Sequence, residues 1–241
     1  MPLLFADVTE SNTRIDHEVQ DFSNSHYRKG SVTILCHGEE AILEAIQDNN
    51  RFFISIYGTA QLLYSKDGLT QFDFDMQFIP TDSAIKAKEY LSHRMPLAEG
   101  FLQGAGECLN HQQFTVCVFL LHQVVEQCCI ALINVNVAYR CEVHNLNRML
   151  NLCRCFSNKP VKLFLSGNPE DQRLFDILVK SYSQARYGNT FLVHANDAKH
   201  LFHRVSAFLA MTKIMCDRKI EKLENEVVLY QQVAERIEAA V

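Results

Sequence analysis

The sequence contains no uninterrupted apolar run of the roughly 18 residues that a membrane-spanning helix requires. Its longest apolar stretch lies within residues 114–137 and is broken by His122, Gln123, Glu126 and Gln127. The first residues do not combine a basic segment with an apolar core, so we expect no secretion signal. These absences predict a cytoplasmic protein that does not enter the membrane.

Cys-x-x-Cys pairs are also absent, although the chain has nine cysteines. Most of the cysteines lie in helical patterns, where a free thiol behaves as a small apolar group. Cys153 and Cys155 point in different directions on a helix. His200 and His203 share one helical face, but no further ligands accompany them, so we interpret them as solvated. We therefore expect reduced thiols, no metal and no cofactor.

Charge of one sign does not dominate the composition. The 241 residues carry a formal net charge of -5, with 48% hydrophobic and 21% charged residues. These values are typical of a soluble globular protein with one large or two small domains. A negative net charge excludes nucleic-acid binding through bulk charge, while a local basic patch stays possible.

The first third of the chain combines strand-like and helix-like patterns. Three stretches are rich in strand-forming residues and one has apolar residues in helical register. In chain order they are residues 31–36 (strand), 39–47 (helix), 52–57 (strand) and 61–65 (strand). We predict a small α/β module over residues 1–75.

Only helical patterns occur from residue 82 onward, which predicts an antiparallel helical bundle over residues 82–241 and an α+β fold class overall. Asn168 and Pro169 have the residue types of an N-cap and a first helical position. Gly188 fits a left-handed cap at the end of that helix. A long final helix over residues 196–239 would measure roughly 65 Å at 1.5 Å per residue.

A central helix is predicted from residue 114 onward, because its apolar residues recur at steps of three and four on nearly every side. His122 and Glu126 interrupt this helix one turn apart and share a face. A buried polar pair requires hydrogen-bond partners. Arg140 lies in the following loop, and we predict that His144 opens the next helix.

The last part of the chain shows a heptad pattern of apolar residues. Its members are Ile220, Leu223, Val227, Tyr230, Ala234, Ile237 and Val241. In one interpretation the helix continues along its own bundle. In the other, the tail projects and pairs with a second subunit, which makes the protein a homodimer.

Several short motifs of the helical half occur in an order that resembles the HEPN family, whose helical domains often lie beside minimal nucleotidyltransferases in prokaryotes. The motifs are Leu121-His122-Gln123 with Glu126, Tyr139-Arg140, His144-Asn145-Leu146, Leu174-Phe175 and Ala185-Arg186-Tyr187. The resemblance implies a dimeric helical module with a polar cleft that accepts a nucleotide or an RNA phosphate.

Six residues would line this cleft: His122, Glu126, Arg140, His144, Arg186 and Tyr187. An imidazole at a helix N-terminus suits an anion, and the arginine in the preceding loop can grip phosphate in a forked geometry. Positive charge at the end of a helix is favourable in any case. For all six, a purely structural role is the alternative.

The resemblance also allows a second interpretation, in which the protein is an enzyme. HEPN ribonucleases carry an arginine, then four to six residues, then a histidine, and they cut RNA by acid–base chemistry at a site built by two subunits. Here three residues separate Arg140 from His144, so the motif is imperfect. The alternative functions are therefore a divergent, toxin-like ribonuclease with these two residues as its catalytic pair, and an inactive dimer that binds a partner.

The N-terminal module has a second resemblance. Phe52, Phe53, Ile56 and residues 62–64 resemble the closing strands of the nucleotidyltransferase domain that precedes HEPN domains in a Bacteroides-type subgroup. The transferase signature, a Gly-Ser turn soon followed by Asp-x-Asp, is not found after Gly30-Ser31, and we interpret the distant Asp73-Phe74-Asp75 as coincidence. The resemblance thus implies a remnant without transferase chemistry.

Overall fold

The computed structural model of this chain describes residues 3–5, 13–28, 32–64, 78–188 and 190–238. These residues are mostly helical, and their only strands are two of three residues each. The chain divides into two compact units, Met1–Ile79 and Pro80–Val241. The predicted helical bundle is therefore confirmed, whereas the described part of the first unit has fewer strands than the predicted α+β class requires.

The first unit has five described elements: β1 (Leu3–Phe5), α1 (Thr13–His26), β2 (Leu35–His37), α2 (Glu39–Gln47) and α3 (Arg51–Thr59). The two strands pair in parallel, with Leu3 opposite Leu35. The buried side chain of Gln20 on α1 holds the segment before β2. Its amide nitrogen donates to the Val32 carbonyl (2.8 Å), and its oxygen accepts from the Ile34 N–H (2.9 Å).

The predicted strand over residues 52–57 is wrong, because these residues belong to helix α3. Asn50 caps this helix by accepting a hydrogen bond from the Phe52 N–H at 3.0 Å. Phe52, Phe53 and Ile54 are buried, so packing and the cap outweigh a strand-forming composition. This removes part of the basis for the nucleotidyltransferase resemblance.

The other expected strands are also shorter than predicted. Residues 61–64 form no regular structure, and the strand predicted over residues 31–36 is confined to Leu35–His37. Gly30-Ser31 and Asp73-Phe74-Asp75 lie outside the described residues.

The second unit consists of helices: α4 (Ser83–Asn110), α5 (Phe114–Val137), α6 (Leu146–Cys153), α7 (Lys159–Phe164), α8 (Pro169–Tyr187) and α9 (Ala195–Glu238). Helix α5 is central, since it packs against α4, α6, α8 and α9. In the described chain it is the one helix that is long and apolar enough to cross a membrane, but 72% of its most apolar window is buried. That burial is typical of the core helix of a soluble bundle.

Helix termini follow the sequence in some places and depart from it in others. The Asn168 side chain accepts from the Glu170 N–H at 3.0 Å, and Pro169 is the first residue of α8, as predicted. Gly188 has an extended backbone (φ -89°), so the predicted left-handed cap is wrong there. A left-handed cap occurs at Ala138, the residue that follows α5, with a φ of 60°.

Helix α9 has 44 residues, which corresponds to about 66 Å at 1.5 Å per residue. Cys216, Ile220 and Leu223 are buried in the bundle. Beyond them the apolar residues emerge, and Leu229 and Ile237 are each 61% exposed. The heptad seam therefore belongs to the bundle up to Leu223 and then continues on an exposed helix.

All nine cysteines are free thiols, and six of them are buried. Burial raises the pKa of Cys117, Cys128 and Cys216 to about 12, so these thiols stay protonated at neutral pH. The prediction that cysteines of the helical half act as small apolar residues is confirmed for these core positions.

Candidate functional site

A hydrogen bond joins the central helix to the loop before α6. The Nδ1 atom of His144 lies 2.9 Å from Oε1 of Glu126. The Glu126 side chain is 6% exposed, whereas that of His144 is 64% exposed. An ionised carboxylate can only accept, so Nδ1 is the donor, and Nε2 is the ring nitrogen that remains for a ligand.

The structure corrects the predicted position of His144. Helix α6 begins at Leu146, and the Asn145 side chain caps it by accepting from the Arg148 N–H at 3.1 Å. His144 thus precedes the cap instead of opening the helix. Its orientation depends on Glu126 and not on the helix terminus.

His122 lies buried behind this pair. Its ring stacks on Tyr182 of α8, with 5.0 Å between the ring centroids and 29° between the planes. Burial is the main cause that lowers its pKa to about 4, and the positive charges of Arg186 and His144 lower it further. His122 is therefore neutral at physiological pH.

The predicted need for hydrogen-bond partners in the buried polar pair is met in part. Glu126 binds His144, and the Gln123 amide nitrogen lies 3.3 Å from Nδ1 of His122. His122 and Glu126 do not hydrogen-bond each other, because Nδ1 and Oε2 are 3.8 Å apart. In the described structure this Oε2 atom is buried without a hydrogen-bond partner.

Three aromatic rings lie close to the guanidinium of Arg186 at the end of α8. Its guanidinium carbon lies 4.2 Å from the ring centroid of Tyr182, 5.1 Å from that of Tyr187 and 5.8 Å from that of Phe119. Its Nε donates to the Tyr182 carbonyl at 2.7 Å. This bond and the rings fix the plane of the guanidinium, which leaves its terminal nitrogens for a ligand.

Arg140 and Tyr187 are both largely exposed. The Tyr187 ring is 77% exposed and contacts Arg186. The Arg140 side chain is 81% exposed, and its Nε lies 3.1 Å from Oε1 of Glu142. The structure thus connects five of the six residues through Tyr182 and Glu126, while Arg140 pairs within its own loop.

Tyr182 is the residue that the sequence interpretation missed, since it was not among the six residues predicted to line the cleft. Both His122 and Arg186 contact its ring. The signal was available, because Tyr182 and Arg186 are four residues apart and share a helical face.

No group of three or more His, Cys, Asp or Glu side chains that could hold a metal occurs among the described residues. His200 and His203 are exposed on α9. What the site offers is an oriented imidazole, a fixed guanidinium and an exposed aromatic ring.

The second unit is thus an all-helical bundle with a cluster of charged and aromatic side chains beside its central helix. Residues 92–215 match the family described as HEPN domain, which covers more than half of the chain. The chain therefore belongs to the HEPN family. Membership indicates a helical module related to nucleotides or RNA, and the matched span contains all six predicted residues. No curated protein matches the chain.

Proposed function

We propose that His144, Arg186 and Tyr187 bind the phosphate and base of a nucleotide or of RNA. The observation that supports this most is that an exposed imidazole and an exposed guanidinium are each held by a neighbouring side chain of the bundle. Glu126 orients the imidazole, and Tyr182, which stacks on His122, orients the guanidinium. Fixed donors lose little freedom on binding, so they favour a specific anion.

The chemistry of the three side chains suits a phosphorylated ligand. Guanidinium and imidazolium groups form charge-assisted hydrogen bonds with phosphate oxygens. An exposed aromatic ring beside them can stack on a base. The charges of Arg186 and His144 both act on the pKa of His122, so they lie within electrostatic range of one imidazole.

The test is the affinity for a short fluorescein-labelled single-stranded RNA, measured by fluorescence anisotropy, with ADP as competitor. We expect Arg186→Ala and His144→Ala each to weaken binding about tenfold or more, because each removes a charge-assisted hydrogen bond. Arg140→Ala is the matched control, since Arg140 pairs with Glu142. Unchanged affinity in the variant that combines Arg186→Ala and His144→Ala would refute the proposal.

A second candidate function, a divergent ribonuclease, is favoured by the carboxylate-bound imidazole of His144. A carboxylate that holds Nδ1 leaves Nε2 to move a proton at the 2′-hydroxyl or the leaving oxygen. Arg186 would then stabilise the phosphate in place of Arg140. Cleavage of RNA by the purified protein, lost in His144→Ala, supports this function, and its toxin-like form predicts growth inhibition on expression that the same substitution removes.

We also propose that the protein is a homodimer whose exposed helix ends pair. The seam of α9 continues past the buried Leu223 with Tyr230 (42% exposed) and Ile237 (61% exposed). A heptad seam that leaves the bundle suits a second copy of the same helix. Replacing both exposed residues by Glu should convert a dimer to a monomer in light scattering, with unfolding unchanged. A wild-type monomer would refute this proposal.

A further inference from the structure

We infer that Glu126 is a positioning residue that acts through His144 and does not touch the ligand. This inference rests on the proposed function and changes the role that the sequence suggested, in which Glu126 lines the binding cleft. The geometry carries it: a buried carboxylate on the rigid central helix holds one nitrogen of an exposed imidazole.

Burial excludes direct ligand contact by Glu126. Its side chain is 6% exposed, and Oε1 is already bonded to His144. A carboxylate that met the ligand would also repel a phosphate, so its presence at an anion site needs another explanation. The carboxylate is explained if it orients a cationic or donor group, as carboxylates orient metal-binding and catalytic histidines.

The neighbouring His122 is not the hydrogen-bond partner of the Glu126 carboxylate. Its Nδ1 lies 3.8 Å from the unpartnered Oε2 atom, which is beyond hydrogen-bond distance. Since burial keeps His122 neutral at physiological pH, it does not neutralise the carboxylate. The group that hydrogen-bonds the buried charge of Glu126 is therefore His144, at 2.9 Å.

The consequence for His144 is a fixed tautomer. With the Nδ1 proton donated to Glu126, the neutral ring presents Nε2 as an acceptor, and the protonated ring presents it as a donor. Without Glu126 the ring can rotate and exchange tautomers, and Nε2 is no longer directed by the fold. Loss of Glu126 should then weaken ligand binding as much as loss of His144 itself.

The experiment compares Glu126→Leu, Glu126→Gln and Glu142→Gln in the full chain. The leucine variant removes the acceptor, the glutamine variant keeps an oxygen at the same place, and Glu142→Gln removes a carboxylate from the same loop as His144. Each variant is first checked for helicity and for its unfolding midpoint. The tautomer of His144 is then read by ¹⁵N NMR of histidine-labelled protein without ligand, and binding by the labelled RNA.

We expect Glu126→Leu to lose the Nδ1–H tautomer and about tenfold in affinity, Glu126→Gln to retain the tautomer, and Glu142→Gln to change neither. The variant that combines Glu126→Leu with His144→Ala should bind no more weakly than His144→Ala alone, because Glu126 acts only through His144. Additive losses, or an unchanged tautomer in Glu126→Leu, would overturn the inference.

The two readouts separate this inference from the proposed function. If wild-type protein fails to bind RNA or ADP, the proposed function fails, while the tautomer still reports whether Glu126 positions His144. If Glu126→Leu unfolds, the wild-type spectrum decides: an Nε2–H tautomer of His144 overturns the inference, and an Nδ1–H tautomer sustains it.

Discussion

Acidification below neutral pH should destabilise the protein through His122. The residue is 2% exposed, and burial together with the charges of Arg186 and His144 lowers its pKa from 6.5 to about 4. In the unfolded chain this imidazole protonates near pH 6.5. The contribution of His122 to the free energy of unfolding is therefore fully present above pH 6.5. It decreases as the pH falls and is lost when the pH reaches about 4.

The size of the effect follows from the two pKa values. The difference between 6.5 and about 4 corresponds to about 3 kcal/mol in the free energy of unfolding. The carboxylate of Glu126 favours protonation of His122, but it is bonded to His144 and lies 3.8 Å away. Desolvation of the buried ring therefore dominates, and the stability decreases towards acid pH.

The assay is urea unfolding, followed by circular dichroism between pH 7 and pH 4, for wild type and His122→Gln. We expect wild type to lose about 3 kcal/mol more than the variant over this range, because other titrating groups are common to both. His93→Gln is the matched control, since His93 is exposed on α4. Parallel pH curves for wild type and His122→Gln would refute this account of the buried imidazole.

Three further predictions concern the frame of the bundle. Ala138→Gly should raise the free energy of unfolding by about 1 kcal/mol in urea titrations, because Ala138 has a φ of 60° that glycine adopts without strain; a decrease would contradict it. Asp197→Ala should lower the free energy of unfolding by roughly 1–3 kcal/mol, since the buried carboxylate binds both terminal nitrogens of Arg173. Glu170→Gln, at the exposed end of this network, should leave the free energy of unfolding nearly unchanged. A thiol reagent should label the exposed Cys155 before the six buried cysteines, and labelling of a buried thiol at the same rate would argue against the packed core.

Patterns that repeat within one helix were read correctly from the sequence. The period of α5 predicted a central buried helix, and α5 is buried against four other helices. The polar interruption by His122 and Glu126 predicted hydrogen-bond partners, and His144 for Glu126 and Gln123 for His122 supply them in part. The N-cap at Asn168 depends on neighbouring residues alone, so it too was predictable.

The strand prediction that depended on distant contacts failed. Residues 52–57 have a strand-forming composition, but burial of Phe52 and Phe53 and the cap at Asn50 make them helical. Arg140 is close to His144 in sequence, yet its nearest opposite charge is Glu142 in the same loop. Spacing along a loop does not determine the direction of a side chain, so the pairing of Arg140 was beyond the sequence.

The amino-acid sequence by itself determined the central helix, the capped α8, the long final helix and the kinds of polar group that the bundle must accommodate. These features arise from interactions between residues a few positions apart, which periodicity records. Only the tertiary structure decided that Glu126 meets His144, that the Tyr182 ring contacts both His122 and Arg186, and that Arg140 pairs with Glu142. Such contacts depend on how helices and loops pack together, because burial and charge act through space and not along the chain.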